Sequence, residues 1–204
     1  MNNERIVVMG LGNLLWADEG FGVRAAEQVH SRYQLPERVE VIDGGTQGLL
    51  LLPYVEAADR LILLDAIDFG LVPATLKVFE NSAVPAYLTA KKMSLHQTGF
   101  SEVLALADLK GSLPQHIVLI GVQPCDLEDY GGSLTAPVRA RLEEAVDLAA
   151  DWLTRWGVDL VPRHDHDDPL NSPALSLSRY EDERPSAEAA CRTGDGRVLG
   201  QGEF

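Results

Sequence analysis

Three side chains suited to holding a divalent cation stand where apolar runs give out: Glu19 in GLGNLLWADEG, Asp65 at the end of RLILLD, and His96 in SLHQTG. Two carboxylates and one imidazole form a donor set for a divalent first-row metal with positions left open to another ligand. Asp65 is the most telling of the three. An ionised carboxylate that ends a buried apolar run has lost its water and requires compensation. Glu19 by itself equally suits the first turn of a helix, where the helix dipole favours an acid, and His96 by itself suits a hydrogen-bonded loop histidine. Asp43, leading Asp43-Gly44-Gly45-Thr46, is another acid at the end of an alternating run. Asp18, beside Glu19, has the form of an N-cap for the helix that follows.

These residues need a frame that gathers strand ends. Ile6–Met9 reads as a buried strand, Gly10, Gly12 and Asn13 as a tight turn, and Gly22, Ala26, Val29 and Tyr33 as the inner stripe of a helix stopped by Pro36. Residues 38–42 alternate as a second strand, 48–57 read as a short leucine-rich helix, 60–64 as the most buried strand, and 75–79 as another. An irregular stretch over 81–97 holds Ser94, His96 and Gln97; a loop that long in a compact domain is often functional. Residues 100–109 repeat at helical spacing behind Thr98, 117–122 form a strand, and 135–156 read as one long amphipathic helix. Strands alternating with helices predict an α/β three-layer sandwich, a mostly parallel twisted sheet of about five strands with helices on both faces. Acids at strand ends then lie along the carboxyl edge, where open α/β sheets carry their sites.

Composition sets the outer limits. The 204 residues, 46% hydrophobic, suit one globular domain over 1–162. From 163 to 204 the chain is acidic, with scattered Pro, Ser and Gly and little periodicity, which predicts a disordered tail; its HDHDD run at 164–168 could bind a metal. A net charge of −14 excludes a nucleic-acid partner, which would need a basic footprint. No run approaches a membrane span and the N-terminus lacks a signal-peptide pattern, so a cytoplasmic protein is expected, as a monomer. Cys125 and Cys191 lack any framework spacing and read as incidental thiols. The Gly10-x-Gly12 turn is a defective dinucleotide fingerprint: Leu15 stands where the third glycine belongs, and Asp18 and Glu19 would repel a pyrophosphate. No Gly-x-Ser-x-Gly elbow or His-Glu-x-x-His helix is present.

Taken in order, GLGNLLWADEGFGV at 10–23, DGGT at 43–46, LLDAID at 63–68 and SLHQTG at 94–99 resemble the [NiFe]-hydrogenase maturation endopeptidases, over residues 5 to about 162. The resemblance implies an enzyme that removes a short C-terminal peptide from the hydrogenase large-subunit precursor once nickel is inserted. It places Glu19, Asp65 and His96 where that family keeps its metal-contacting residues, and Asp43, Gly44, Gly45 and Thr46 where substrate recognition is suspected. The nickel is expected to arrive with the substrate rather than to reside in the enzyme. The rival expectations are a non-enzymatic nickel-binding maturation chaperone and a nucleotide-dependent oxidoreductase.

Overall fold

A computed structural model describes residues 4–84, 95–164 and 168–184, the side chains of 95–98 excepted. The apolar runs become a five-stranded sheet in the order β3-β1-β4-β6-β5. Strands β1 (Ile6–Leu11), β3 (Val39–Gly45), β4 (Arg60–Ala66) and β6 (His116–Val122) are parallel, and β5 (Leu76–Glu80) closes one edge antiparallel to β6. A small second ribbon pairs β2 (Tyr33–Gln34) with β7 (Val161–Pro162). The central strands are nearly continuous in apolar residues because both faces are covered. Ile6 and Val8 face a layer formed by α1 (Phe21–Arg32) and residues of 134–158, whereas Val7 and Met9 face α2 (Leu52–Ala57) and α3 (Leu95–Leu109). The expected mostly parallel sandwich is the one observed.

The first helix lies unusually close to the sheet. A Cβ on Gly22 would stand 2.1 Å from the Leu64 carbonyl oxygen and 2.3 Å from that of Leu11, so only glycine lets α1 rest its backbone on β1 and β4. That contact presses the β1–α1 turn against the end of the central strand.

Three boundaries differ from expectation. The helix expected at 135–156 is two, α4 (Ala136–Arg139) and α5 (Leu142–Arg155), broken at Ala140 and Arg141. The segment 48–57 is a 3-10 turn, Gly48–Leu51, running into α2. Helix α3 starts at Leu95, so His96 occupies a helix's first turn instead of an irregular loop, and Thr98 lies inside the helix it was expected to cap.

The segment after Pro162 departs most from the disordered acidic tail expected of it. Over 168–184 it forms a strap against α1, with a 3-10 turn, Pro173–Leu175, and a short helix α6 (Leu177–Glu183). His30 Nε2 donates to the Asp168 carbonyl (2.8 Å), Asn171 Nδ2 donates to Glu27 Oε1 (2.9 Å), and Arg24 Nη1 donates to both the Leu175 carbonyl (2.5 Å) and Glu27 Oε2 (2.9 Å). The strap thus runs antiparallel to α1, from that helix's C-terminal end toward the sheet's carboxyl edge. Leu170 and Leu177 pack on the core, and Glu181 takes a hydrogen bond from Ser133 and an ion pair from Arg139. A composition argument weighs only the apolar area a segment could bury within itself; here the surface is lent by α1. Asp168 is engaged with His30, while Asp165, His166 and Asp167 of the HDHDD run, and residues 185–204 with Cys191, lie outside the described residues.

Candidate active site

Glu19, Asp43, Asp65 and the backbone of His96 lie on segments that leave the carboxyl ends of β1, β3 and β4 or pack beside them. The β1 segment comes first. Gly12, at φ 126°, bends the chain so tightly that a Cβ there would overlap the Glu19 carbonyl oxygen at 1.7 Å. Residues Ala17–Gly20 then form a 3-10 turn lying against the end of β4. Ala17, at φ 40°, holds a left-handed conformation that costs a non-glycine residue energy, and the two acids after it diverge. Asp18 is fully buried; Glu19 is half-buried at the edge.

Asp18 is committed to structure. Its Oδ2 accepts from the Cys125 and Asp126 amides at 2.8 and 3.0 Å and from the Thr135 hydroxyl at 3.0 Å, and its Oδ1 accepts from the Thr135 amide at 2.7 Å. Four donors around one carboxylate compensate its lost hydration. The clasp continues where the Gly131 amide donates to the Leu15 carbonyl (2.7 Å) and where the Trp16 and Tyr130 rings meet at 5.3 Å. Asp18 was expected to cap the following helix; it anchors the loop after β6 instead. Gln123 does similar work nearby, its side-chain oxygen accepting from the Phe69 and Leu71 amides (2.7 and 3.0 Å) and its amide donating to Asp68 (2.9 Å), which pins the loop after β4.

Asp65 lies at the end of the central strand, paired in register with Gly121 and without solvent exposure, and its Oδ1 accepts from the Ala66 amide at 2.8 Å. The structure therefore brings the turn bearing Glu19 to the strand end bearing Asp65. The first turns of α3, which hold His96, pack on the Gly48–Leu51 turn that follows β3: a Cβ on Gly99 would be 3.5 Å from the Gly48 Cα. The His96 side chain lies outside the described residues, so that member of the donor set is placed by its backbone, at the same edge. Among the described residues no three His, Cys, Asp or Glu side chains form a metal cluster.

Asp43 marks the lip of the site. It pairs with Gly10, and a β-bulge between Gly10 and Leu11 brings Gly45 opposite Leu11, with the Gly12 amide donating to the Gly45 carbonyl at 3.0 Å. Bulges beside a site re-aim side chains. Asp43, Gly45 and Thr46 line an open recess with Gly12, Asn13 and Leu14. Burial raises the Asp43 carboxyl above its ordinary pKa; hydrogen bonds from the Asn171 side chain and the Gly45 backbone work in the opposite sense, Glu27 adds repulsion and Arg24 attraction.

Around this edge large apolar side chains face solvent: Leu15 and Trp16 after β1, Leu49 and Leu50 after β3, Leu71 and Val72 after β4. Exposed apolar clusters of this kind mark surfaces that meet another macromolecule. Residues 23–152 match the family model described as hydrogenase maturation protease. The chain belongs to that family. It is 57% identical over 199 residues to the hydrogenase expression/formation protein HoxM of Cupriavidus necator, covering 96% of this chain and 98% of HoxM. Among solved structures it resembles the hydrogenase maturating endopeptidase HybD from E. coli, with a TM-score of 0.75 and 40% identity over 78% of this chain and 98% of that one. A second likeness is to the [NiFe] hydrogenase maturation protease HybD from Thermococcus kodakarensis, with a TM-score of 0.61 and 26% identity over 72% and 98% of the two chains. The chain is a peptidase of hydrogenase maturation, and the oxidoreductase and chaperone expectations fall away. The HoxM match must include most of the segment after Pro162, whereas the E. coli structure leaves about a fifth of this chain without a counterpart.

Gln123, Arg24 and Asn171 lie outside every motif, and Asp18 lies inside one but in a role that the motif did not reveal. For Asp18 the signal was its neighbour: the chain carries two adjacent acids where one ligand would do.

Proposed function

We propose that this peptidase removes a short C-terminal peptide from the precursor of the [NiFe]-hydrogenase large subunit after nickel insertion, and that Glu19, Asp65 and His96 sense the metal. The reading is supported by the convergence, at one sheet edge, of the Glu19 turn, the buried Asp65 and the first turn of α3, with exposed apolar side chains on the turns that leave the same edge, suited to a folded protein substrate. Nickel belongs to the substrate in this scheme, held by large-subunit cysteine thiolates. Two carboxylates and one imidazole bind nickel adequately but without selectivity, so thiolates from the precursor complete the sphere and make loading the signal for cleavage. Bound there, the cation polarises the scissile carbonyl or orients a water. Glu19 or Asp65 accepts that water's proton. Asp43, with Gly44, Gly45 and Thr46, receives the substrate at the lip. The enzyme acts in the cytoplasm as a monomer; among the described residues no helix is long and apolar enough to cross a membrane.

The deciding experiment incubates the purified protein with nickel-loaded and nickel-free precursor and follows the mass of the large subunit. Release of a C-terminal peptide from the loaded form alone is the expected result; equal cleavage of both forms would remove metal sensing. A companion measurement is the metal content of the enzyme after gel filtration and mild chelation, where stoichiometric nickel would argue for a resident metal.

A further inference from the structure

Paired residues on neighbouring strands carry their side chains side by side on one face of a sheet. Asp65 of β4 is paired with Gly121 of β6, and Leu63 and Leu119, two residues earlier on each strand, belong to the layer under α2 and α3. Asp65 therefore faces that layer, and glycine leaves the place beside its carboxylate without a side chain. An aromatic ring fills it. A Cβ on Gly121 would stand 2.6 Å from Phe69 Cζ and 3.1 Å from Phe69 Cε2. Phe69 comes from the loop that leaves β4 after Asp65, is only 9% exposed, and shares a cluster with Phe100 and Val103 of α3, the helix that carries His96. Its ring lies 5.6 Å from that of Phe79 on β5. The ring thus walls the β6 side of Asp65, and the carboxylate is left to face the side where β1 pairs with β4 and the Glu19 turn packs.

One buried side chain holds the ring there. Gln123, 6% exposed, accepts through Oε1 from the Phe69 amide at 2.7 Å and the Leu71 amide at 3.0 Å, and its Nε2 donates to Asp68 Oδ1 at 2.9 Å. Its backbone is tied in turn: the Gln123 amide donates to the Thr75 carbonyl and the Ala74 amide to the Gln123 carbonyl, each at 2.8 Å. We propose that Gln123 is a positioning residue for the cleavage step: it holds the Phe69 ring in the slot that Gly121 leaves, and the ring turns the Asp65 carboxylate toward the Glu19 turn and keeps water from its flank. The proposal rests on the reading of Asp65 as a group that contacts the substrate's nickel. Without the ring the carboxylate can swing over β6, and a displacement of about 1 Å in a reacting group costs on the order of a hundredfold in rate.

The test is single-turnover cleavage of nickel-loaded precursor by the full-length protein and its variants, over a range of concentrations up to saturation, with melting followed in parallel. F69A should lower the saturated rate on the order of a hundredfold and leave KM within about twofold of wild type, because the exposed side chains that meet the precursor stay in place. F69L, which refills the slot, should recover most of that rate. Q123M keeps the volume and removes the hydrogen bonds; it should also slow cleavage, and the F69A/Q123M double variant should be no slower than F69A, since Gln123 acts through the ring. V118A truncates β6 on the opposite face and should lower the melting midpoint with the rate unchanged. G121A and Q123E replace F69A and Q123M where either folds poorly: the new methyl pushes the ring from its slot, and the new carboxyl is set against Asp68. If D65N cleaves at the wild-type rate, the reading of Asp65 fails first. If D65N is inactive while a Phe69, Gly121 or Gln123 variant cleaves like wild type, the proposal is overturned. Additive losses in the double variant, or an equal loss in V118A, would overturn it as well.

Discussion

Two corners of the same sheet edge treat a carboxylate in opposite ways. At the clasp, Asp18 is fully buried and takes four hydrogen bonds from Cys125, Asp126 and Thr135. At the lip, Asp43 is half-buried, and its compensating contacts from Asn171, Gly45 and Arg24 do not offset the cost of burial. An acid whose lone pairs are all engaged has no capacity left for a ligand and serves to hold loops. One left under-compensated retains that capacity, and the fold bears a cost for keeping it there. The difference separates which acids of this edge should govern stability and which should govern turnover.

The largest effect expected from that separation is on activity alone. His96→Ala or Glu19→Gln should lower cleavage of nickel-loaded precursor by about 10²–10⁴-fold, the range for losing a group that acts at the reacting atoms. Their melting midpoints should stay within about 2 °C of wild type. Near wild-type cleavage by either variant would remove that residue from the site.

Asp18→Asn should do the reverse. Whichever way the replacement amide is turned, its NH2 faces a donor that the carboxylate accepted, the Thr135 amide on one side or the Cys125 and Asp126 amides on the other, and leaving buried donors unmet in a network of this kind costs about 3 kcal/mol. For a chain of this size that lowers the midpoint by roughly 10 °C in differential scanning calorimetry. KM and kcat at a temperature where the variant is still folded should change little; a large change in kcat with an intact midpoint would place Asp18 in the chemistry.

How much of this contrast could be read from the sequence follows from where each residue's partners lie. The strands of the main sheet were legible because both-face burial leaves near-continuous apolar runs, and two of the candidate acids stood out because each closes such a run: Asp43 after VEVI and Asp65 after LILL. Asp18 was misread because its donors come from residues more than a hundred positions later, which no local pattern exposes. The extra helical turns that carry His96 were hidden because Ser94, His96 and Thr98 depart from apolar periodicity just where α3 begins. The strap was hidden for a third reason: its apolar contacts, Leu170 and Leu177, are too few to stripe a helix and have meaning only against α1.

The strap therefore supplies the next test. Ending the chain before Asp168 removes the packing of Leu170 and Leu177 and the Leu175 carbonyl that covers Arg24. A loss of about 2 kcal/mol is expected from that apolar area and hydrogen bond, a fall of roughly 4–8 °C in midpoint. An unchanged midpoint would show that the segment does not dock in solution.

The smallest effect is a slope with pH, and it sharpens the contrast at a single group. Because burial raises the folded-state pKa of Asp43 above its unfolded value, the native state binds the proton more tightly. The resulting stabilisation is complete below the unfolded pKa and is lost as pH rises through the folded value. Asp43→Asn has no proton to lose, so its stability relative to wild type should improve as pH rises from the ordinary carboxylate range toward neutrality. Asn171→Ala removes a hydrogen bond that lowers the Asp43 pKa, so the acid limb of its KM profile should move to higher pH, whereas Asp43→Asn should lose that limb. Urea denaturation of wild type and D43N from pH 4 to pH 7 measures the slope. Equal slopes in the two proteins would mean that Asp43 ionises in the folded protein as it does in the unfolded chain, and the lip would then differ from the clasp in geometry alone.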